Sequence, residues 1–360
     1  MRREISYWVA LAEAIKMSTR RKNEIVVHCF NMGKSIVDFF ESGDFLGMQL
    51  SEEEQGVLYH IMRLLPEYTF MVEDMRKEGF EIIDIMSSYY PKKLRVHMKY
   101  NSPLVLYIKG DKKMLQEPSI GIVGSRRAYG VSLMFADTMA KAATNEKKVV
   151  VSGFAKGVDQ QALITTIKCN GRSIIVLPQG IMTFSNGLKK HEKDIAEGRV
   201  LVLSTFHPKM PWLSELAIRR NTVIYGLSDV IYVAQSDDTG GTWSGANEGL
   251  RNNRPIYVRI PEPGEHSANA KLLQKGAKPI DFSGNTNVIF RPVTSPKEVR
   301  HLILQLLNEG QAFTIEEIRN RLYLRMDDSS LKAILADTDY FEKAKRGDST
   351  VYSKASPMLL

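Results

Sequence analysis

The sequence has little cysteine and no long uncharged apolar run. Cys29 and Cys169 are the only cysteines among its 360 residues, and neither belongs to a CxxC pair or has a regular spacing to histidine. Neither a disulfide framework nor a zinc site is therefore encoded, and a reducing, cytoplasmic compartment fits best.

Glu4, Glu13 and Lys16 interrupt the apolar N-terminus, which argues against a signal peptide. No other stretch approaches the roughly 18 apolar residues of a membrane helix, so we expect no membrane association.

The signatures of common catalytic sites are missing as well. The sequence contains no HExxH, no G-x-S-x-G elbow, no complete Walker motif G-x-x-x-x-G-K-[ST] and no G-x-G-x-x-G fingerprint of dinucleotide enzymes. Asp159 and Glu248 could act in acid/base chemistry, but a helix-cap Asp and a solvated Glu are the commoner roles of such residues. We therefore predict no catalytic residue, no metal and no cofactor, and hence a binding protein rather than an enzyme.

Basic residues are in moderate excess. There are 49 lysines and arginines against 41 aspartates and glutamates, which gives a formal net charge of +8 and a pI near 9.2. A basic surface favours acidic partners such as nucleic acid or other anionic surfaces. Because proteins with no nucleic-acid role also carry an excess of this size, the motifs must decide between these partners.

Three segments with different patterns follow one another along the chain. Residues 1–78 have the pattern of short helices separated by glycines, as in a small helical, SAM-like domain. Residues 79–288 alternate short β-branched runs, such as VLYI, IGIV and VVVS, with helical segments. This alternation predicts an α/β domain with an extended Rossmann-type, doubly wound, mostly parallel sheet. After a polar, Pro-containing link, residues 296–360 predict three short helices and a hairpin, as in a winged-helix-like domain.

Four segments of the α/β domain carry glycine or arginine at predicted loops and helix starts. The C-terminal ends of parallel strands meet at one sheet edge, where ligands of such sheets bind, so we expect these segments to converge. Free backbone amides, helix N-termini and guanidinium groups together suit a phosphate. The candidate residues are Gly124, Ser125, Arg126 and Arg127; Ser152, Gly153, Lys156 and Gly157; Arg219, Arg220 and Asn221; and, as an additional phosphate loop, Gly240, Gly241 and Thr242. Their convergence predicts a polyanionic ligand.

The same segments resemble a known family, the DNA-processing protein A (Smf) proteins of bacteria. GIVGSRRAYG is similar to the family's G-[ST]-R…Y-G loop, and SGFAKGVDQQA to its S-G-x-A-x-G-[IV]-D-x-x-A loop. RRNTVIYGLSD resembles its R-N-R-x-I-x-G-L-S segment, and YYPKKL, SPLVLYIKGD and NAKLLQKGAKPI resemble three others. The chain departs from the family patterns at Leu163, at Thr222 and in the 237–247 loop.

The resemblance implies a homodimer that binds single-stranded DNA in a basic pocket, protects it and helps load a RecA-type recombinase in DNA uptake and recombination. Carried over by position, the best candidates for phosphate contacts are Arg126, Lys156, Arg220 and Asn221. Arg127 and Arg219 are added on charge alone. Tyr129, Phe154 or Trp243, each set in one of the loops, could stack on bases.

Three other interpretations stay open. GGTWSGANE partly matches the Gly-Gly-x-Gly-Thr loop of the related lysine-decarboxylase-like Rossmann group, so a nucleotide-binding or nucleotide-processing enzyme, including a nucleotide hydrolase, is one alternative. A regulatory protein whose winged helix touches duplex DNA through Lys343, Lys345 and Arg346 is another. A phage-defence or mobile-element protein would use the same strand-binding chemistry in a different setting.

Overall fold

The computed structural model describes residues 4–262, 265, 267–288, 290, 296–307, 311–322, 324, 326 and 328–355. Its N-terminal part is helical, as the sequence predicts. The helices are α1 (Glu4–Ala12), α2 (Thr19–Asn31), α3 (Ile36–Glu41), α4 (Glu52–Arg63) and α5 (Leu65–Lys77). Ser18, Ser35 and Ser51 cap the N-termini of α2, α3 and α4, each by accepting a bond from a backbone amide of the first turn. Trp8 and Leu11 of α1 are buried at the centre of this group.

The middle of the chain alternates strands and helices. Its elements are β1 (Glu81–Asp84), α6 (Lys92–Met98), β2 (Val105–Lys109), β3 (Ser119–Val123), α7 (Val131–Asn145), β4 (Val149–Ser152), α8 (Val158–Lys168), β5 (Ser173–Val176), α9 (Ser185–Lys190), α10 (Glu192–Ala196), β6 (Val200–Ser204), α11 (Ser214–Leu227), β7 (Val230–Val233), α12 (Gly240–Arg251), β8 (Ile256–Arg259), α13 (Asn269–Gln274) and β9 (Lys278–Ile280). Short 3₁₀ segments lie at Phe45–Gly47, Lys99–Asn101, Lys112–Gln116 and Ile181–Thr183.

The strands form one mixed sheet in the order β1-β2-β6-β5-β4-β3-β7-β8-β9. The pairs from β6 to β9 are parallel, while β2 pairs antiparallel with both β6 and β1. The central strands are buried on both faces, which accounts for their unbroken apolar runs. Strand order reverses between β3 and β7, and such a reversal opens a crevice at the C-terminal edge of a parallel sheet.

The C-terminal part has its own apolar core. Its elements are α14 (Pro296–Leu306), β10 (Phe313–Thr314), α15 (Ile315–Leu322), α16 (Asp328–Leu335), β11 (Phe341–Arg346) and β12 (Ser349–Lys354). The three strands form an antiparallel sheet over a cluster that includes Ile303, Ile318 and Leu331. Thr314 and Glu317 exchange the two bonds of a capping box at the start of α15, where the sequence TIEE predicts one. This order of elements is that of a winged helix.

The predicted domain boundaries at 78 and 288 stay predictions. The predicted link consists of GNTNV and RPVTSP, and residues 291–295 of it lie outside the described residues. No helix in the described ranges is long and apolar enough to cross a bilayer.

Arg259, at the end of β8, is the largest fully buried side chain and ties three elements together. It donates to the carbonyl of Ala234 after β7 (2.9 Å) and to the hydroxyl of Ser132 in the first turn of α7 (3.0 Å). Its charge is paired with Glu265 at 2.5 Å. Because these bonds hold the start of α7 against the ends of β7 and β8, they fix the sheet edge at which the crevice lies.

We predict that Glu265→Ala lowers the free energy of unfolding by about 3 kcal/mol, because it leaves the buried guanidinium without its counter-charge. Urea denaturation followed by circular dichroism measures this change. The control is Glu262→Ala, which removes an exposed carboxylate three residues away and should leave the midpoint unchanged. Equal midpoints for the two variants would contradict a structural role for the ion pair.

Candidate functional site

A cleft of about 380 Å³ lies at the C-terminal edge of the sheet, where the strand order reverses. Its walls are the turn after β3, the start of α8, the first half of α11 and the segment from the end of β7 into α12. All four predicted segments therefore meet here. The predicted residues that line the cleft are Gly124, Ser125, Arg126, Arg127, Arg220, Asn221, Gly240, Gly241 and Thr242.

Two glycines let the turns after β3 and β4 touch. A Cβ on Gly124 would lie 2.5 Å from Cγ2 of Val158, so a side chain there would push the start of α8 away. Gly157 has a φ of +80°, and a Cβ on it would lie 2.5 Å from the carbonyl oxygen of Ser125. Both positions need glycine for close approach, and Gly157 also needs it for its backbone conformation. These glycines thus let the two turns approach closely, and their contact with a ligand stays a prediction.

Ser125 joins the turn after β3 to the segment after β7. Its hydroxyl donates to Asp237 Oδ2 at 3.0 Å and accepts from the backbone amide of Arg127 at 3.1 Å. Asp237 also lies 3.8 Å from the Arg127 guanidinium. The hydroxyl of Ser125 is thereby engaged with protein groups, and Asp237 brings a carboxylate into the cleft. Asp237 was not among the residues predicted from the sequence, although it follows a strand end just as Ser125 does.

Arg220 is buried in the wall of the cleft, with 3% of its surface exposed. Its guanidinium donates to the carbonyl of Gly153, which follows β4, and to the carbonyl of Val176, the last residue of β5. Its Nε donates to Asn221 Oδ1 at 3.1 Å. A Cβ on Gly153 would lie 2.0 Å from this guanidinium, so Gly153 is the residue that leaves room for it. Arg220 therefore braces the wall by bonding to protein carbonyls.

Asp159 supplies the counter-charge to Arg220. Its carboxylate accepts from the backbone amide of Gly153 at 3.1 Å and is buried at the start of α8. Burial raises the pKa of Asp159, and the nearby Arg220 opposes that rise. Burial likewise lowers the pKa of Arg220, and Asp159 opposes that fall. The two charges stabilise each other in the interior, where either one alone would be costly.

The exposed cations of the site are Arg126, Arg127 and Lys156. The guanidinium carbon of Arg126 lies 5.8 Å from the ring centre of Trp212, which is 48% exposed. This pair places a cation beside a half-exposed aromatic ring at the rim of the cleft. Lys156 is exposed on the neighbouring turn but does not line the cleft itself. Trp212 was not predicted from the sequence, because it lies just ahead of α11 and not in one of the glycine-containing loops.

Three predicted side chains have other positions. Ser152 is buried and donates to the carbonyl of Ile122 on the adjacent strand at 2.9 Å. Arg219 lies on another face of α11, over the ring of Phe206, and lines a different cavity. Phe154, a predicted stacking residue, packs inward with its ring centre 5.1 Å from that of Phe184.

The other two candidates for stacking differ in exposure. Tyr129 is 69% exposed, so its ring faces solvent beside the turn after β3. Trp243 packs partly into the core and lies under the ammonium of Lys275 at 4.6 Å. Tyr129 is therefore the sequence-predicted aromatic that keeps an open face near the cleft.

The N-terminus of α12 gives the cleft its backbone donors. Thr239 makes no side-chain cap, so the first amides of the helix at Gly240, Gly241 and Thr242 keep donors that the helix itself does not use. The side chain of Asn221 packs against Gly241, where a Cβ would lie 2.5 Å from Asn221 Nδ2. Backbone donors, a helix dipole and exposed guanidinium groups together suit a phosphate group.

The fold and the cleft define a Rossmann-type protein with a crevice, lined by arginines and helix-start amides, at the switch point of its sheet. A family model described as DNA recombination-mediator protein A matches residues 81–289, which is more than half of the chain. The chain belongs to this family. The match confirms the resemblance inferred from the sequence motifs.

Individual relatives agree with this assignment. The chain is 28% identical over 223 residues to DNA processing protein DprA of Bacillus subtilis, covering 61% of this chain and 74% of that protein. It is 28% identical over 219 residues to DNA processing protein DprA of Streptococcus pneumoniae, covering 59% of this chain and 76% of that protein. The solved structure of the Streptococcus pneumoniae protein matches with a TM-score of 0.61 at 23% identity, over 76% of this chain and 94% of that one. The predicted α/β fold class is thereby confirmed.

We predict that Gly153→Ala lowers the free energy of unfolding by about 2 kcal/mol, because its Cβ collides with a guanidinium that two carbonyls hold in place. Chemical denaturation measures the effect. Gly56→Ala is the matched control, since a Cβ there meets nothing within 4 Å on the open side of α4. The control should gain roughly 0.5–1 kcal/mol from helix propensity. A gain in stability for both variants would refute the bracing role of Arg220.

Proposed function

We propose that this chain binds single-stranded DNA in the cleft between the turn after β3 and the start of α12. The observation that carries the proposal is the pairing of the exposed Arg126 guanidinium with the open ring of Trp212 beside the free amides of α12. Guanidinium and amide donors bind phosphates, while an aromatic face stacks on a base. Only unpaired bases offer their faces for stacking, so this combination favours a single strand over a duplex.

The charge distribution within the cleft indicates weak sequence preference. Arg126 and Arg127 are exposed, and Asp237 offsets part of the charge of Arg127. Arg220 keeps its donors on protein carbonyls, and Asp159 compensates its charge. Contacts to phosphates and ring faces do not distinguish one base from another. We therefore expect affinity to depend on salt and strand length more than on sequence.

We infer that binding, and not catalysis, is the task of this cleft. Its two nearest carboxylates are both engaged, Asp159 with the amide of Gly153 and Asp237 with the hydroxyl of Ser125. The other acid/base candidate, Glu248, lines a different cavity. The family name, DNA recombination-mediator protein A, fits a protein that holds a strand for another protein.

We further propose that the chain is a cytoplasmic homodimer that protects single-stranded DNA and presents it to a RecA-type recombinase. Family membership supports this role. The low cysteine content fits a reducing compartment.

We predict that the double variant Arg126→Ala/Lys156→Ala loses about tenfold or more in affinity for a labelled single strand at moderate salt. One cation that lines the cleft and one on the neighbouring turn, each expected to contact a phosphate of the bound strand, are removed. The slope of log K against log salt should become shallower by about 1.4, at about 0.7 per contact on a single strand. Fluorescence anisotropy across a salt series measures both quantities. The control is Arg63→Ala/Lys168→Ala, which removes the same charges from exposed positions in α4 and at the end of α8.

Equal losses in the two double variants would mean that net charge, and not the cleft, governs binding. Tighter binding of the matched duplex than of the single strand would overturn the proposed strand preference.

We predict that Trp212→Ala weakens single-strand binding by about 1–3 kcal/mol, the usual contribution of one stacked base. The salt slope should stay that of the unmodified protein, because no phosphate contact is removed. Trp212→Phe keeps a ring and should retain most of the affinity. Anisotropy titrations of both variants test this, and indifference to Trp212→Ala would exclude stacking at the rim.

A further inference from the structure

A second cavity, of about 670 Å³, lies between the N-terminal helices and the α/β sheet domain. Its walls come from the start of α2, the segment from the end of α6 to the start of β2, α11 and α12. On α11 it is lined by Arg219, Thr222, Val223 and Gly226, which recur at helical spacing on one face, and also by Tyr225. Ala217 and Asn221, on the opposite face, line the strand-binding cleft. The two spaces are thus separated by the thickness of α11.

The second cavity has the size of a small-molecule site, for which about 300–1,000 Å³ is usual. Positive charge dominates its lining. The lining cations are Arg20, Lys22, Lys99, Arg219 and Arg254, with His97 beside them. The lining also contains two carboxylates, those of Glu13 and Glu248, which offset part of this positive charge. Glu13 accepts a hydrogen bond from the Tyr107 hydroxyl at 3.2 Å. An anion would balance the remaining charge.

Two of these cations are more than nine-tenths buried. Lys22 is 8% exposed, and its ammonium donates to the carbonyl of Ala12. Burial lowers the pKa of Lys22 to about 8, which still leaves it mostly charged at neutral pH. Arg254 is also 8% exposed. Its terminal nitrogens donate to the carbonyls of Tyr225 and Ser228 and contact His97, while its Nε has no hydrogen-bond partner in the described part of the chain. The Nε of Arg254 is therefore a buried donor that an acceptor in the cavity could compensate, and leaving such a donor unpaired is unfavourable.

Two aromatic rings stand beside the cations. The guanidinium carbon of Arg20 lies 5.6 Å from the ring centre of Tyr100, and that of Arg219 lies 5.8 Å from the ring centre of Phe206. Tyr100 is 46% exposed. Rings next to guanidinium groups can hold a planar heterocycle while the cations bind a phosphate attached to it.

We propose that this second cavity binds a free nucleoside phosphate, with its phosphates on Lys22 and Arg219 and its base against the rings of Tyr100 and Phe206. Buried donors, excess positive charge, aromatic faces and a volume suited to one small molecule all agree with this ligand class. The site is separate from the strand-binding cleft, so it can be tested whether or not the cleft binds DNA.

Isothermal titration calorimetry of the full chain at pH 7 tests the proposal, with AMP, ADP, ATP and GTP as probes and adenosine and inorganic phosphate as partial probes. At least one nucleotide should bind at one site per chain, at least tenfold more tightly than either partial probe. Lys22→Met and Arg219→Ala should each weaken that nucleotide at least tenfold. Arg126→Ala, in the other cleft, should leave its affinity unchanged.

The folded state of Lys22→Met is checked by circular dichroism, and Arg219→Ala, which changes an exposed side chain, gives the same answer if the first variant fails to fold. Absence of nucleotide binding up to millimolar concentration would overturn the proposal. The proposal would also be overturned if Arg219→Ala left nucleotide binding intact, or if Arg126→Ala abolished it. Displacement of the nucleotide by a thymidine oligomer in proportion to its occupancy of the strand site would assign the second cavity to the DNA path instead.

Discussion

The buried guanidinium of Arg220 is the constraint on which the crevice depends. It bonds to carbonyls at the ends of β4 and β5, and Asp159 compensates its charge from the start of α8. The turn after β4 is thereby fixed, and the turn after β3 packs against it through Gly124 and Gly157. Because an arginine that loses its acceptors or its counter-charge in the interior is costly, the two turns are held in one arrangement.

Two consecutive arginines of α11 serve different parts of the molecule. Arg220 points into the wall of the cleft, where it is 3% exposed, whereas Arg219 is exposed and lines the second cavity. Successive residues of a helix are about 100° apart, so neighbours in sequence reach different surroundings. The helix separates a crevice open to a long polyanion from a cavity of small-molecule size.

The sequence patterns predicted the fold well because they are local. Unbroken apolar runs mark strands buried on both faces, and capping residues such as Thr314 and Glu317 mark helix starts. The convergence of the loops was also predictable, since parallel strands that end together place their following turns at one edge. The resemblance to DNA-processing protein A depended on these same turns.

The roles of individual side chains were harder to predict because they depend on distant partners. The phosphate contact predicted for Arg220 stays a prediction, while the carbonyl acceptors that its guanidinium has in the structure, at the ends of β5 and β4, are 44 and 67 positions away in the sequence. Ser125 meets Asp237 across 112 positions. Trp212 lies near Arg126 only because α11 returns to the sheet edge. Tertiary packing alone brings these pairs together.

Hydrogen–deuterium exchange with and without a saturating thymidine oligomer tests the central claim most directly. Strand binding in the cleft should slow exchange of the backbone amides of residues 125–130 and 240–243, the two segments that line or adjoin the crevice. Protection confined to the β11–β12 hairpin or to the N-terminal helices, with these two segments unchanged, would contradict it.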